Sequence, residues 1–146
     1  MSIFPTKILL ATDGSKEAQL ATTTAVDIAN STDSELHLVV VGPVLPAHFE
    51  PTETEPAQMQ RETQRLFEEQ VERTEAAGGK IAHTHLRFGG TTEEIVNLAE
   101  EISAGLIVTG SRGRGGIRRA LMGSVSDSVV RHAHCPVLVV RREATA

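Results

Sequence analysis

Apolar residues along the chain fall into two alternating rhythms. Lys7–Ala11 (KILLA), Glu35–Val41 (ELHLVVV), Ile81–Phe88, Leu106–Thr109 and Pro136–Val140 are short, dense runs that predict β-strands. The near-continuous apolar character of ELHLVVV suits a parallel sheet covered on both faces. Between the runs the spacing changes to three or four. Ala18, Ala21, Ala25 and Ile28 predict a helix over Lys16–Asn30, with Ser15 as its cap. A sparse stripe of Met59, Leu66, Phe67 and Val71 predicts a polar helix over Ala57–Ala77, ended by Gly78 and Gly79. Thr91 and Glu94 have the spacing of a capping box, opening a helix with Ile95, Leu98, Ala99 and Ile102 on one face. Ser124–His134 is a last helix, with Val125, Val129, Val130 and Ala133 inward. Gly42–Pro56, with four prolines, is predicted to be a long loop.

Strict alternation of strand and helix predicts an α/β fold: a doubly wound, five-stranded parallel sheet in a Rossmann-like α/β sandwich. Alternation does not fix strand order. If the order is 3-2-1-4-5, the chain reverses between strands 1 and 4, and a ligand belongs beyond their carboxyl ends. Thr12-Asp13-Gly14-Ser15 and Gly110-Ser111-Arg112-Gly113 would then be neighbours.

Composition narrows the function. At 146 residues the chain, 1–146, reads as one domain. Fourteen basic residues against 19 acidic ones give a net charge of −5. With no Trp or Tyr and four Phe, this makes general nucleic-acid binding the least favoured function. A single cysteine, Cys135, allows no intramolecular disulfide. With no signal-like N-terminus and no membrane-length apolar run, the expectation is a cytoplasmic protein without a membrane partner.

The stretch TGSRGRGGIRRALMGSVS, residues 109–126, combines five glycines with four arginines. It is neither common phosphate loop. Gly110 and Gly115 have P-loop spacing, but Gly116 stands where the lysine belongs; Gly113 and Gly115 begin a dinucleotide fingerprint, but Arg118 occupies its last glycine position. Anion binding is still available to it. Glycines allow close backbone approach, and Gly123-Ser124 at a helix start offers unpaired N–H groups and the positive end of the helix dipole. Asp127, three residues later, caps the helix, faces away or helps to hold a metal. No nucleophile–base pair is readable and no side-chain metal site is expected. His132, His134 and Cys135 are spaced poorly for zinc; the helix dipole accounts for the histidines, and Cys135 reads as a small buried hydrophobe.

Gly110-x2-Gly113-x9-Gly123-Ser124 resembles the ATP-binding motif G-x2-G-x9-G-[ST] of the universal stress protein family. ILLATDGS at 8–15, FGGTTEEI at 88–95 (with Thr91 where proline is more usual) and HAHCPVLVV at 132–140 extend the resemblance over essentially the whole chain. The resemblance implies the 3-2-1-4-5 order and a dimer through the last strand, Pro136–Val140. It implies ATP, or alternatively AMP or cyclic AMP; bound phosphates would themselves supply oxygen ligands for Mg²⁺. Its implied site comprises Ala11, Thr12 and Asp13 after the first strand, and Val41 against adenine through its backbone. Gly110, Ser111, Arg112, Gly113 and Arg114 follow the fourth strand; Gly123, Ser124, Val125 and Ser126 open the last helix. With no P-loop lysine, this site points to holding a nucleotide more than to consuming it; a slow ATPase using the same pocket is the enzymatic alternative.

Overall fold

A computed structural model describes residues 2–46, 54–111 and 124–141. The chain runs β1 (Lys7–Ala11), α1 (Lys16–Thr32), β2 (Glu35–Gly42), α2 (Thr54–Ala76), β3 (Ile81–Phe88), α3 (Thr91–Ile102), β4 (Leu106–Gly110), α4 (Ser124–His132) and β5 (Val137–Val140). The five strands form one parallel sheet in the order β3-β2-β1-β4-β5.

Two apolar layers cover the sheet. On one face Ile8, Leu10, Leu36, Leu38 and Val108 pack against Ala21, Ala25, Val26 and Ala29 of α1, with Val71 of α2 at the margin. On the other, Leu9, Val39 and Ile107 pack against Ile95, Leu98 and Ala99 of α3 and Val129 of α4. Ile8, Leu9 and Leu10 all have no exposed surface, so KILLA is apolar without alternation because both of its faces are interior.

Most differences from the sequence reading lie at element ends. Helix α2 begins at Thr54, inside the expected proline loop. Pro56 falls in its first turn, where the missing N–H would have had no helical partner. Helix α4 stops at His132, two residues early, and β2 and β4 each extend by one glycine. The expected capping box is not formed. Gly90 is the N-cap of α3 and makes no side-chain cap bond; Thr91 is the first helical residue. Glu94 instead lies against Gly89 and reaches Arg87 of β3 at 3.7 Å.

The sparse stripe on α2 also has a structural reason. Thr63, Gln70 and Thr74 share its inner face, at 6%, 2% and 0% exposure. The hydroxyls of Thr63 and Thr74 donate to the carbonyls of Met59 and Gln70, at 2.9 and 2.7 Å, so each satisfies itself within the helix.

Candidate functional site

The strand order sets β1 beside β4, with Ala11 registered against Thr109. Helix α1 leaves β1 over one face of the sheet and α4 follows β4 over the other. The chain therefore parts at the carboxyl ends of these two strands, the usual place for a ligand in an open α/β sheet.

The turn after β1 is held from several sides. The Thr12 N–H bonds the Val39 carbonyl at 3.2 Å, keeping the turn in the sheet for one more residue. An Asp13 carboxylate oxygen accepts the Ser15 N–H at 2.9 Å, an Asx turn. Gly14 then takes φ +82°, a conformation costly for any residue with a Cβ. The Ser15 hydroxyl accepts the Ala18 N–H at 3.1 Å, capping α1 as its sequence position predicts. Asp13 thus has a turn-forming role and is half-exposed at the mouth of the parting.

Below the turn, the Thr12 hydroxyl donates to Gln70 Oε1 of α2 at 3.2 Å in a buried setting. Gln70 Nε2 is buried without a hydrogen-bond partner among the described residues and sits under Gly14, where an added Cβ would come within 3.2 Å of it. Sequence reading passed over Gln70 as one more polar residue of a polar helix. The available signal was its spacing from Thr63, Leu66 and Thr74 on a single face.

Val41 lies near the end of β2, which outruns β1. The β1–β2 register closes at Ala11 against Val39, whose carbonyl points toward β1 to meet Thr12. Backbone groups of alternate strand residues point to the same side. The N–H and C=O of Val41 therefore face the β1 side beyond the last registered residue of β1.

At the end of β4, Gly110 has a packing reason for being glycine. A Cβ there would lie 2.8 Å from the Glu17 carbonyl carbon and 2.9 Å from the Ala18 nitrogen, both in the α1 backbone. The bare strand lets the first turn of α1 close onto β4. Ser111 is buried; its N–H bonds the Val140 carbonyl at 2.8 Å and its carbonyl accepts the Ser126 hydroxyl at 3.0 Å. The bond from Ser126 ties the first turn of α4 to the end of β4. Ser124, the exposed first residue of α4, and the half-buried Val125 stand there. Asp127 pairs with Arg131 one turn on at 3.1 Å, along the exposed helix surface. Arg112, Gly113, Arg114 and Gly123 lie outside the described residues.

The structure thus brings together Ala11, Thr12, Asp13, Val41, Gly110, Ser111, Ser124, Val125 and Ser126 from four segments distant in sequence. Among the described residues, no group of three metal-ligating side chains converges. His132 turns back to the Ser128 carbonyl at 2.8 Å, and His134 pairs with Glu100 of α3. Cys135 packs on the α3–α4 layer, where burial pushes its thiol above the ordinary range. Also among the described residues, no helix is long and apolar enough to cross a membrane.

The chain is similar to known proteins over nearly its full length. It is 37% identical to a universal stress protein of Methanocaldococcus jannaschii over 140 residues, 93% of this chain and 82% of that one. Its fold is similar to that of the solved universal stress protein UspA from Lactobacillus plantarum, at 26% identity and a TM-score of 0.83, covering 96% and 100% of the two chains. A universal stress protein solved in complex with cAMP shares the fold at 24% identity and a TM-score of 0.75, covering 95% and 98%. The model of the universal stress protein family matches residues 5–141, and with the sheet order and the parting between β1 and β4 this leaves one assignment: the chain belongs to the universal stress protein family.

Proposed function

We propose that this protein binds an adenine nucleotide, ATP in the first instance, at the parting between β1 and β4, as a homodimeric regulatory protein in which holding the nucleotide matters more than turning it over. The observation that carries the reading is the meeting of three complementary groups at one place. The β1 turn presents the Asp13 carboxylate, β2 extends the Val41 backbone past its neighbour, and α4 begins beside the end of β4. A backbone N–H and C=O two atoms apart match the paired acceptor and donor on the edge of adenine. A carboxylate accepts ribose hydroxyls, and a helix start favours phosphate. The fold neighbour solved with cAMP supports the same ligand class.

In this reading Gly110, Ser111, Arg112, Gly113 and Arg114 form one wall of the phosphate site, and Gly123, Ser124, Val125 and Ser126 the other. Ala11 and Thr12 carry Asp13 into place. Mg²⁺ would be held by the phosphate oxygens. Hydrogen bonds to a charged group contribute about 1.5–3 kcal/mol each, so a few provide micromolar affinity. Dimerisation fits the edge position of β5, which among the described residues pairs with β4 alone and would offer its VLVV run to a second copy. Sedimentation at high protein concentration checks that part: a dimer is expected, and only monomer refutes it.

The functional test is to extract freshly purified protein, identify any released nucleotide by mass spectrometry, and follow phosphate release after adding ATP with Mg²⁺. An adenine nucleotide with phosphate release no faster than from a Gly123→Val variant supports a holding role. Turnover abolished in that variant makes the protein a slow ATPase, and a guanine nucleotide or another cofactor in the extract refutes the adenine reading.

A further inference from the structure

The β2–β3 edge of the sheet, away from the parting, carries a cluster of imidazoles. His37 on β2 is registered against His83 on β3, and its neighbour Val39 against His85. The His37 and His85 rings stack, with centroids 5.5 Å apart and planes 11° from parallel; the His83 centroid lies 5.1 Å from that of His37. His37 Nδ1 and His85 Nε2 are 3.3 Å apart, a hydrogen bond in which one ring donates and the other accepts. His37 is 3% exposed, while His83 is exposed to solvent. Two rings in this geometry share one proton well. Charging both rings leaves both nitrogens as donors, facing each other as like charges.

We propose that the His37–His85 pair is an acid-sensitive clasp: neutral, it fastens edge strand β3 to β2, and on protonation it loosens that edge. Charged groups surround it on every packed element. Glu35 on β2 approaches His37 Nε2 at 3.4 Å and Glu101 on α3 lies near His85; both favour protonation. Lys7 on β1 and His83 and Arg87 on β3 oppose it. Arg87 is itself bound to Glu101 at 2.7 Å and to Glu94 at 3.7 Å. Burial is the largest influence on both rings, and the balance holds each below the ordinary histidine range. The unfolded or detached strand therefore binds more protons than the native edge as pH falls through the ordinary histidine value, near 6.5, and native stability is lost in that direction. Above that value the clasp is fully present. Opening that takes up one proton becomes about tenfold more favourable per pH unit, and more steeply so if both rings charge.

Hydrogen-exchange protection factors, corrected for intrinsic exchange, test this on the intact chain between about pH 7 and about pH 5. Protection of the β3 amides bonded to β2 is expected to fall about tenfold or more as one proton is taken up, while α1 amides on the opposite face stay level. His85→Gln, which keeps a hydrogen-bonding group, should flatten the fall; His83→Gln, which removes one opposing neighbour and leaves the pair intact, should reduce it less. Equal protection at both pH values in the wild type, or an undiminished fall in His85→Gln, overturns the proposal. If His85→Gln does not fold, an NMR titration of the wild-type rings decides. His37 and His85 titrating below the ordinary histidine value, near 6.5, sustains the clasp, and titration at or above that value overturns it.

Discussion

Replacing Gly110 with alanine inserts one methyl group where the first turn of α1 already lies. The added carbon would sit 2.8 Å from the Glu17 carbonyl carbon, 2.9 Å from the Glu17 oxygen and 2.9 Å from the Ala18 nitrogen. Carbon contacts are comfortable at about 3.5–4.0 Å, so the shortfall from the carbonyl carbon is about 0.7–1.2 Å. No rotamer relieves it, because all three atoms are helix backbone. The turn is further fixed by the Ser15 cap at 3.1 Å and the Asx turn at 2.9 Å. Helix α1 must tilt away from β4, and overpacking of this kind costs about 1–3 kcal/mol. For a domain of this size that lowers Tm by roughly 3–10 °C. Urea denaturation of Gly110→Ala against wild type measures it, with Gly90→Ala as control, since a Cβ at Gly90 meets nothing closer than 3.6 Å. A Gly110→Ala protein within about 0.5 kcal/mol of wild type would refute the packing account of this glycine.

Two further substitutions separate structure from ligand contact. Ser126→Ala removes the buried hydroxyl that meets the Ser111 carbonyl at 3.0 Å, so we expect a loss of about 1–3 kcal/mol in denaturation and weaker nucleotide binding, because the start of α4 is no longer tied to the end of β4. Asp13→Asn keeps an oxygen for the Ser15 N–H and should hold stability within about 0.5 kcal/mol, while nucleotide affinity falls about ten- to hundredfold in calorimetry; equal affinity would remove Asp13 from the ribose contact.

The fold was legible because each element carries its own local cause. KILLA and ELHLVVV are apolar on both faces, the α1 and α3 periodicities are regular, and Ser15 caps as its position predicts. The reversal between β1 and β4 depends on which strands pair across long separations; local pattern is silent on it, and the G-x2-G-x9-G-S resemblance supplied it. Boundaries slipped where one residue type serves two purposes. Pro56 reads as a loop residue but suits a first helical turn, and Thr91–Glu94 has capping-box spacing although Gly90 takes the cap. Gly110 shows the same ambiguity, since a glycine that admits a ligand and one that admits a helix look alike in sequence. Gln70 and the His37–His85 pair were missed because their partners lie 58 and 48 residues away along the chain.

The central claim is that the parting between β1 and β4 recognises adenine nucleotides. Isothermal titration of nucleotide-stripped protein with ATP, ADP, AMP and cAMP, each with Mg²⁺ and with GTP as comparison, tests it most directly. Saturable binding in the micromolar range by at least one adenine nucleotide, and at least about tenfold weaker binding of GTP, is the predicted result. No heat of binding from any adenine nucleotide, on protein that remains folded, would contradict it.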